Sequence, residues 1–227
     1  MIRLENVWKT YRTRRHTNVI AAGINATFPT GVSVALLGRN GAGKSSMLRM
    51  IAGTMPVDRG RIWSTGSVSW PVGFSGSFHK DMSGAQNTRF IARLYGVDTD
   101  ELMDFVGGFA DLGDKFYLPI RTYSSGMKSR LAFGISMGIK FDTYLVDEVT
   151  SVGDADFKRK ARQLFKNRMA ESSAIVVSHS KKLILDLCDA GAVLENGDFI
   201  YYEDINDALE HHDWNLGKGQ GRMRQIG

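Results

Sequence analysis

Apolar residues in this chain follow two rhythms, and the switch between them outlines the fold. Residues 2–7 alternate apolar with polar, the pattern of a strand covered on one face. Residues 12–18 are a basic turn, and residues 19–28 return toward Pro29-Thr30-Gly31. Residues 32–37 form a continuous apolar run, as expected of a central strand covered on both faces. A glycine-rich loop follows, then a helix over about 44–52 with Met47, Leu48 and Ile51 on one face, ended by Gly53 and Pro56. Residues 61–74 read as strands. Helical spacing dominates from 84 to 138, at 88–95, 100–109 and 126–139. Strand patterns return at 143–146, 174–178, 192–194 and 199–201, separated by helices that include 155–169 and 181–188. Strand alternating with helix predicts an α/β core on a parallel sheet, with an antiparallel β flank at the N-terminal side. The helical middle, about 78–140, reads as an inserted α-helical subdomain. One domain over residues 1–212 is expected. Residues 213–227, polar and glycine-rich with Lys218, Arg222 and Arg224, are expected to form a loosely held tail.

Composition narrows the classes. In 227 residues, 43% are apolar and 23% charged, which excludes disordered, collagen-like and disulfide-stapled chains. The lone cysteine, Cys188, excludes an intrachain disulfide and a thiolate zinc cluster. It falls on an apolar helix face with Leu183, Ile184 and Leu187, which predicts a core position. The net charge of +5 and a pI near 9.3 fit a nucleic-acid or anionic-membrane partner, but excess base is common on globular surfaces. No apolar stretch approaches the roughly 20 residues of a spanning helix, and no apolar segment follows the start as in a signal peptide. The chain is therefore expected in a reducing compartment, where it can dock onto a membrane through another subunit.

The strongest chemical signal is Gly38-Arg39-Asn40-Gly41-Ala42-Gly43-Lys44-Ser45, which fits G-x-x-x-x-G-K-S/T between a predicted buried strand and a helix. Glycines let the backbone wrap a phosphate, and successive N–H groups then point inward as an anion nest. The helix N-terminus adds partial positive charge. Lys44 reaches β- and γ-phosphates in such a loop, and the Ser45 hydroxyl ligates Mg²⁺. A second signal is the apolar strand Thr143-Tyr144-Leu145-Val146 ending in Asp147-Glu148. After a phosphate loop this fits a Walker B element: Asp147 for Mg²⁺, and Glu148 as the general base that polarises the attacking water. A strand followed by a solvated acidic turn has the same pattern.

The third signal, Ser124-Ser125-Gly126-Met127 at the start of an apolar-periodic helix, completes an order of elements that resembles the ATP-binding-cassette (ABC) ATPases. The segment is similar to that family's signature LSGGQ, with Tyr123 for the leucine, Ser125 for the first glycine and Met127 for the glutamine. By that resemblance Ser124, Ser125 and Gly126 contact the γ-phosphate held by the other subunit's phosphate loop. Asp154, closing Ser151-Val152-Gly153-Asp154, resembles the D-loop acid that links the two sites. His179, after the strand 174–178, resembles the switch histidine, and Tyr11 the aromatic that stacks on adenine. The resemblance thus implies nucleotide contacts at Tyr11, Gly38, Arg39, Asn40, Gly41, Ala42, Gly43, Lys44, Ser45, Ser46, Ser124, Ser125, Gly126 and Asp154. It implies catalytic roles for Glu148, His179 and Lys44, and Mg²⁺ at Ser45 and Asp147.

Two departures stand out. The family's glutamine at the core-to-helical junction has no counterpart in residues 70–78, and Gln86 lies further along; Val149 follows Glu148 where the family has proline. The short length, that glutamine-free stretch and Arg89-Phe90-Ile91-Ala92-Arg93-Leu94-Tyr95 resemble the ATPase subunits of capsular polysaccharide exporters. The resemblance implies a P-loop NTPase core with ATP and Mg²⁺ as cofactors, and a head-to-tail homodimer sandwiching ATP. It also implies a membrane-spanning permease docking near Trp70–Tyr95, and periplasmic or outer-membrane export partners reached through that permease. The expected place is peripheral, on the cytoplasmic face of a bacterial inner membrane, with no nucleic-acid partner. The rival readings are an ABC exporter ATPase for O-antigen, teichoic acid or lipid, and a soluble ABC ATPase acting on nucleic acid or ribosomes.

Overall fold

The computed structural model describes residues 1–12, 17–73, 76, 78–147 and 154–217. They divide into two units. The first comprises Met1–Val68, Asp142–Glu148 and Ser172–Gly227. Its antiparallel flank is a sheet of β1 (Ile2–Arg12), β2 (Thr17–Phe28) and β4 (Arg59–Ser64), in the order β2-β1-β4. Here the strands outrun the expected limits: cross-strand pairing carries β1 to Arg12, opposite Thr17. Its main strands run in the order β6 (Thr143–Asp147), β7 (Ser173–Val177), β3 (Val34–Leu37), β8 (Ala190–Glu195), β9 (Asp198–Tyr202). The pairs β6–β7, β7–β3 and β3–β8 are parallel, and β8–β9 is antiparallel.

All four residues of β3 are buried, which accounts for the unbroken apolar run in the sequence. Alternate residues Ile2, Leu4, Ile20, Ile24 and Phe28 of the flank join Val34, Leu36, Met47, Leu48, Leu145 and Ile175 in one core. The helix α1 (Lys44–Ile51) contributes Met47, Leu48, Met50 and Ile51 to it. Helix α6 (Lys181–Leu187) ends at Cys188, which is free and buried, and burial pushes its thiol pKa up to about 12.

One helix went unpredicted. α7 (Ile205–Asn215) is capped by Asp204 and buries only Ile205, Ala208 and Leu209, too sparse a stripe to stand out among its polar residues. It seats tightly on β8, where a Cβ on Gly191 would meet the Ala208 Cβ at 2.3 Å. The helix runs across the expected 212/213 boundary.

The second unit comprises Ser69–Phe141 and Val149–Glu171, and β5 (Val68–Pro71) leads into it. It holds α2 (Gly84–Tyr95), α3 (Thr99–Ala110), α4 (Ser125–Gly138) and α5 (Ala155–Met169), with two 3-10 turns at Gly113–Tyr117 and Ile120–Thr122. α5 belongs to this unit: Phe157 packs on Phe109 at 5.2 Å between ring centroids and on Phe133 at 6.3 Å. α2 starts four residues earlier than its apolar spacing suggests, because Ser83 and Gln86 cap it reciprocally. Ser83 Oγ accepts from the Gln86 amide at 3.0 Å, and Gln86 Oε1 accepts from the Ser83 amide at 2.8 Å.

Candidate functional site

In the first unit, β6, β7 and β3 are neighbours and parallel, so their C-terminal ends lie together. Asp147 closes β6, His179 follows β7 by two residues, and the glycine loop follows β3. Tyr11, Asn40, Gly41, Gly43, Lys44, Ser45, Ser46, Asp147 and His179 line one cavity of about 570 Å³, with Asn18, Ile20 and Val177. Asn18 and Ile20 had no mark in the sequence. The signal that could have found Asn18 is hairpin register, because it pairs opposite Tyr11. Tyr11 is 41% exposed, and its hydroxyl donates to Met55 Sδ at 3.0 Å. Trp8, the other aromatic nearby, instead donates its Nε1–H to Asn6 Oδ1 at 2.8 Å.

The loop owes its shape to glycines at two positions in particular. Gly38 has φ +152°, and a Cβ there would meet the Leu194 carbonyl oxygen at 2.4 Å. Gly43 has φ +103° and faces Ile20, whose methyl carbons would lie 2.6 and 2.8 Å from a Cβ. Gly43 is also the N-cap of α1 and offers no side-chain acceptor, so the first amides of that helix stay available to an anion. Lys44 Nζ donates to the carbonyls of Gly38 at 2.8 Å and Arg39 at 3.1 Å, which folds the ammonium over the loop. The Ala42 amide donates to the Arg39 carbonyl at 3.1 Å and closes the turn. Arg39 and Ala42 belong to the loop backbone. Ser45 and Asp147 supply a hydroxyl and a carboxylate to the same cavity. Such hard oxygen donors suit Mg²⁺, which takes one or two protein oxygens and completes its shell with water and phosphate. No cluster of three or more His, Cys, Asp or Glu among the described residues could hold a metal unaided.

A second cavity, about 600 Å³, lies in the second unit and is lined by Ser124, Gly126, Met127, Lys115, Arg130 and Asp154, with Asp111 and Leu112. Ser124 is the N-cap of α4, its Oγ accepting from the Met127 amide at 3.3 Å. Ser125 opens the helix and is exposed. Asp154 caps α5 by accepting from the Phe157 amide at 2.9 Å and pairs with Arg130. The Phe157 amide and then the Arg130 charge hold the Asp154 carboxyl below the ordinary carboxylate range. Arg130 also lies over the Phe157 ring, 5.0 Å from its centroid. Neither Lys115 nor Arg130 was singled out in the sequence. Glu148, Val149 and Ser151–Gly153 lie outside the described residues. Gln86 is engaged by Ser83 in the cap of α2, which explains its presence without a site role. On α2, Phe90, Leu94 and Tyr95 are exposed at 56%, 67% and 44%, and Tyr95 packs on Trp70 with 5.0 Å between centroids.

No helix among the described residues is long and apolar enough to cross a membrane. Comparison with known proteins agrees with the phosphate loop. The chain is 48% identical over 215 residues to the polysialic acid transport ATP-binding protein KpsT of Escherichia coli, covering 93% of this chain and 96% of that one. It is 43% identical over 214 residues to the capsule polysaccharide export ATP-binding protein CtrD of Neisseria meningitidis serogroup B, covering 94% and 99%. Among solved structures, a dimeric post-hydrolysis ATP-binding cassette bound to ADP and Pi superposes with a TM-score of 0.71 over 88% of this chain and 98% of that one. At 19% identity that likeness shows a common fold. The family described as ABC transporter matches residues 21–151. With its glycine loop, Asp147 and His179 on neighbouring strand ends, and relatives matched nearly end to end, the chain belongs to the ABC transporter family.

Proposed function

We propose that this chain is the ATP-binding and ATP-hydrolysing subunit of an exporter of capsular or related cell-surface polysaccharide. The observation that carries the reading is the single cavity on which the glycine loop, Ser45, Asp147, His179 and Tyr11 converge. Near-full-length identity to capsule and polysialic acid transport ATP-binding proteins supports the substrate class.

In this reading the amides from Gly38 to Ser46 cradle the β- and γ-phosphates, Lys44 neutralises them, and Tyr11 stacks on the adenine. Ser45 and Asp147 would hold Mg²⁺, which would supply neutralising charge to the phosphates. Glu148 takes a proton from the attacking water, whose oxygen bonds to the γ-phosphorus as the bond to the ADP oxygen breaks. His179 orients the γ-phosphate or the water. Ser124, Ser125, Gly126 and Asp154 complete the site of a second copy, in a head-to-tail homodimer that closes on two ATP molecules. The dimeric state of the cassette solved with ADP and Pi supports that arrangement. A separate permease, docking on the Trp70–Tyr95 region, carries the polysaccharide and holds this subunit peripherally at the cytoplasmic face of the membrane. The exposed Phe90, Leu94 and Tyr95 support that docking surface.

The test combines two variants and one isolation. Glu148→Gln should bind ATP and lose turnover by about two to four orders of magnitude, whereas Lys44→Ala should lose tight binding itself. Membranes should yield the chain with a multi-spanning partner, and the glycan carried can be identified chemically. Normal turnover in Glu148→Gln would refute the base assignment. Unchanged affinity in Lys44→Ala would refute the phosphate site.

A further inference from the structure

Helix α5 carries six basic residues, Lys158, Arg159, Lys160, Arg162, Lys166 and Arg168, against the single acid Asp156. Its buried side is made by Phe157 and Phe165. Lys158, Arg159, Arg162 and Lys166 are all exposed. At 3.6 residues per turn those four fall within one stripe about 100° wide, beside the face that carries the two phenylalanines. Arg159 pairs with Asp156 at 3.1 Å, and Arg168 turns inward to the Met137 carbonyl at 2.7 Å. Lys158, Arg162 and Lys166 make no ion pair among the described residues.

Helix stability does not account for this arrangement. Lys158, Arg162 and Lys166 are four residues apart, where like charges repel. Lys158 lies near the N-terminal end of α5, where a cation opposes the helix dipole; only Lys166 and Arg168, in the last turn, are favoured by it. An anionic surface outside the helix would offset both penalties. The stripe has no exposed aromatic, so it lacks the stacking platforms that single-stranded nucleic acid uses, and its apolar members, Ala155 and Met169, are too few to seat an amphipathic peptide. Lipid phosphates, free to move laterally, match any spacing of cations. We propose that α5 rests on anionic lipid headgroups by charge alone, without insertion; this builds on the reading of the chain as a subunit held at a membrane.

Full-length protein is co-sedimented with phosphatidylcholine vesicles with and without phosphatidylglycerol. The wild type should bind only the anionic vesicles and leave them as salt is raised. The triple variant Lys158→Gln/Arg162→Gln/Lys166→Gln should bind about a hundredfold more weakly. A control losing the same charge elsewhere, Arg59→Gln/Lys140→Gln/Lys182→Gln, should bind within about threefold of wild type. If the stripe variant melts early, Arg162→Gln alone, with about fivefold weaker binding, takes its place. Equal loss in both triple variants, equal binding to neutral vesicles, or no vesicle binding would overturn the proposal. So would stripe-dependent binding to polyuridylate with vesicles ignored. ATP turnover in solution should be unchanged in both variants, so a failed lipid result leaves the ATPase reading standing.

Discussion

Gly43 offers a sharp test of how the phosphate loop is held, because replacing it with alanine incurs two separable costs. The first is backbone strain: at φ +103° an L-residue is disfavoured by roughly 1–2 kcal/mol. The second is steric. The new Cβ would lie 2.6 and 2.8 Å from two methyl carbons of Ile20, which is only 2% exposed and has nowhere to retreat. Overpacking of this kind costs about 1–3 kcal/mol, so Gly43→Ala should lose about 2–5 kcal/mol in all. Ile20→Ala alone should lose about 2–5 kcal/mol through the cavity it leaves. In the double variant both offending methyl carbons are gone, and the combined loss should fall short of the sum by about 1–3 kcal/mol. Gly41→Ala is the control. It has φ +84° but nothing within 4 Å of a Cβ, so it should show the strain alone and add independently to Ile20→Ala. Urea unfolding of the four proteins gives the cycle, and a fluorescent ATP analogue reports whether relieving the clash also restores binding. Additivity of Gly43→Ala and Ile20→Ala within about 0.5 kcal/mol would refute the steric half of the reasoning.

Three further outcomes follow from features outside the loop. With a thiol pKa pushed to about 12 against an ordinary 9.0, Cys188 should react with a maleimide at pH 8 about a thousandfold more slowly in the folded protein than in urea, and reactivity near that of an exposed thiol would show the burial to be wrong. The sign of the linkage is that the folded state holds the proton more tightly. The stabilisation is therefore present below pH 9 and drains away as pH climbs toward 12, which alkaline unfolding midpoints of wild type and Cys188→Ala would compare. Gln86→Ala should cost about 1 kcal/mol through the cap of α2 while leaving ATP turnover intact; a large fall in turnover at unchanged stability would assign Gln86 to the site after all.

The legible parts of this protein are those whose function demands particular residue types at fixed spacing. The phosphate loop needs glycine where φ is positive and a lysine at the helix start, so eight residues announce it. β3, β6 and β7 announce themselves because burial on both faces makes their central residues apolar. What stayed hidden depends on partners distant in sequence. Asn18 enters the cavity only through its register opposite Tyr11, and its own surroundings in the chain are unremarkable turn residues. Arg130 acquires meaning from Asp154 and Phe157, more than twenty positions away. α7 hides because it needs only three buried residues to sit on the glycine-thinned surface of β8. The packing of α5 on Phe109 and Phe133 was not legible, because its pattern says which side is apolar but not what that side meets.

The spread of the first cavity along the polypeptide has a consequence for biosynthesis. Tyr11 leaves the ribosome first, the loop of Lys44 next, Asp147 later and His179 last of the four. β7, which lies between β6 and β3, is translated after both of them, so the two cannot be spaced correctly until it arrives. A nascent chain stalled before Ser173 should therefore be unable to retain nucleotide, whatever its length of finished hairpin, and idle turnover by incomplete subunits is avoided by the order of translation itself.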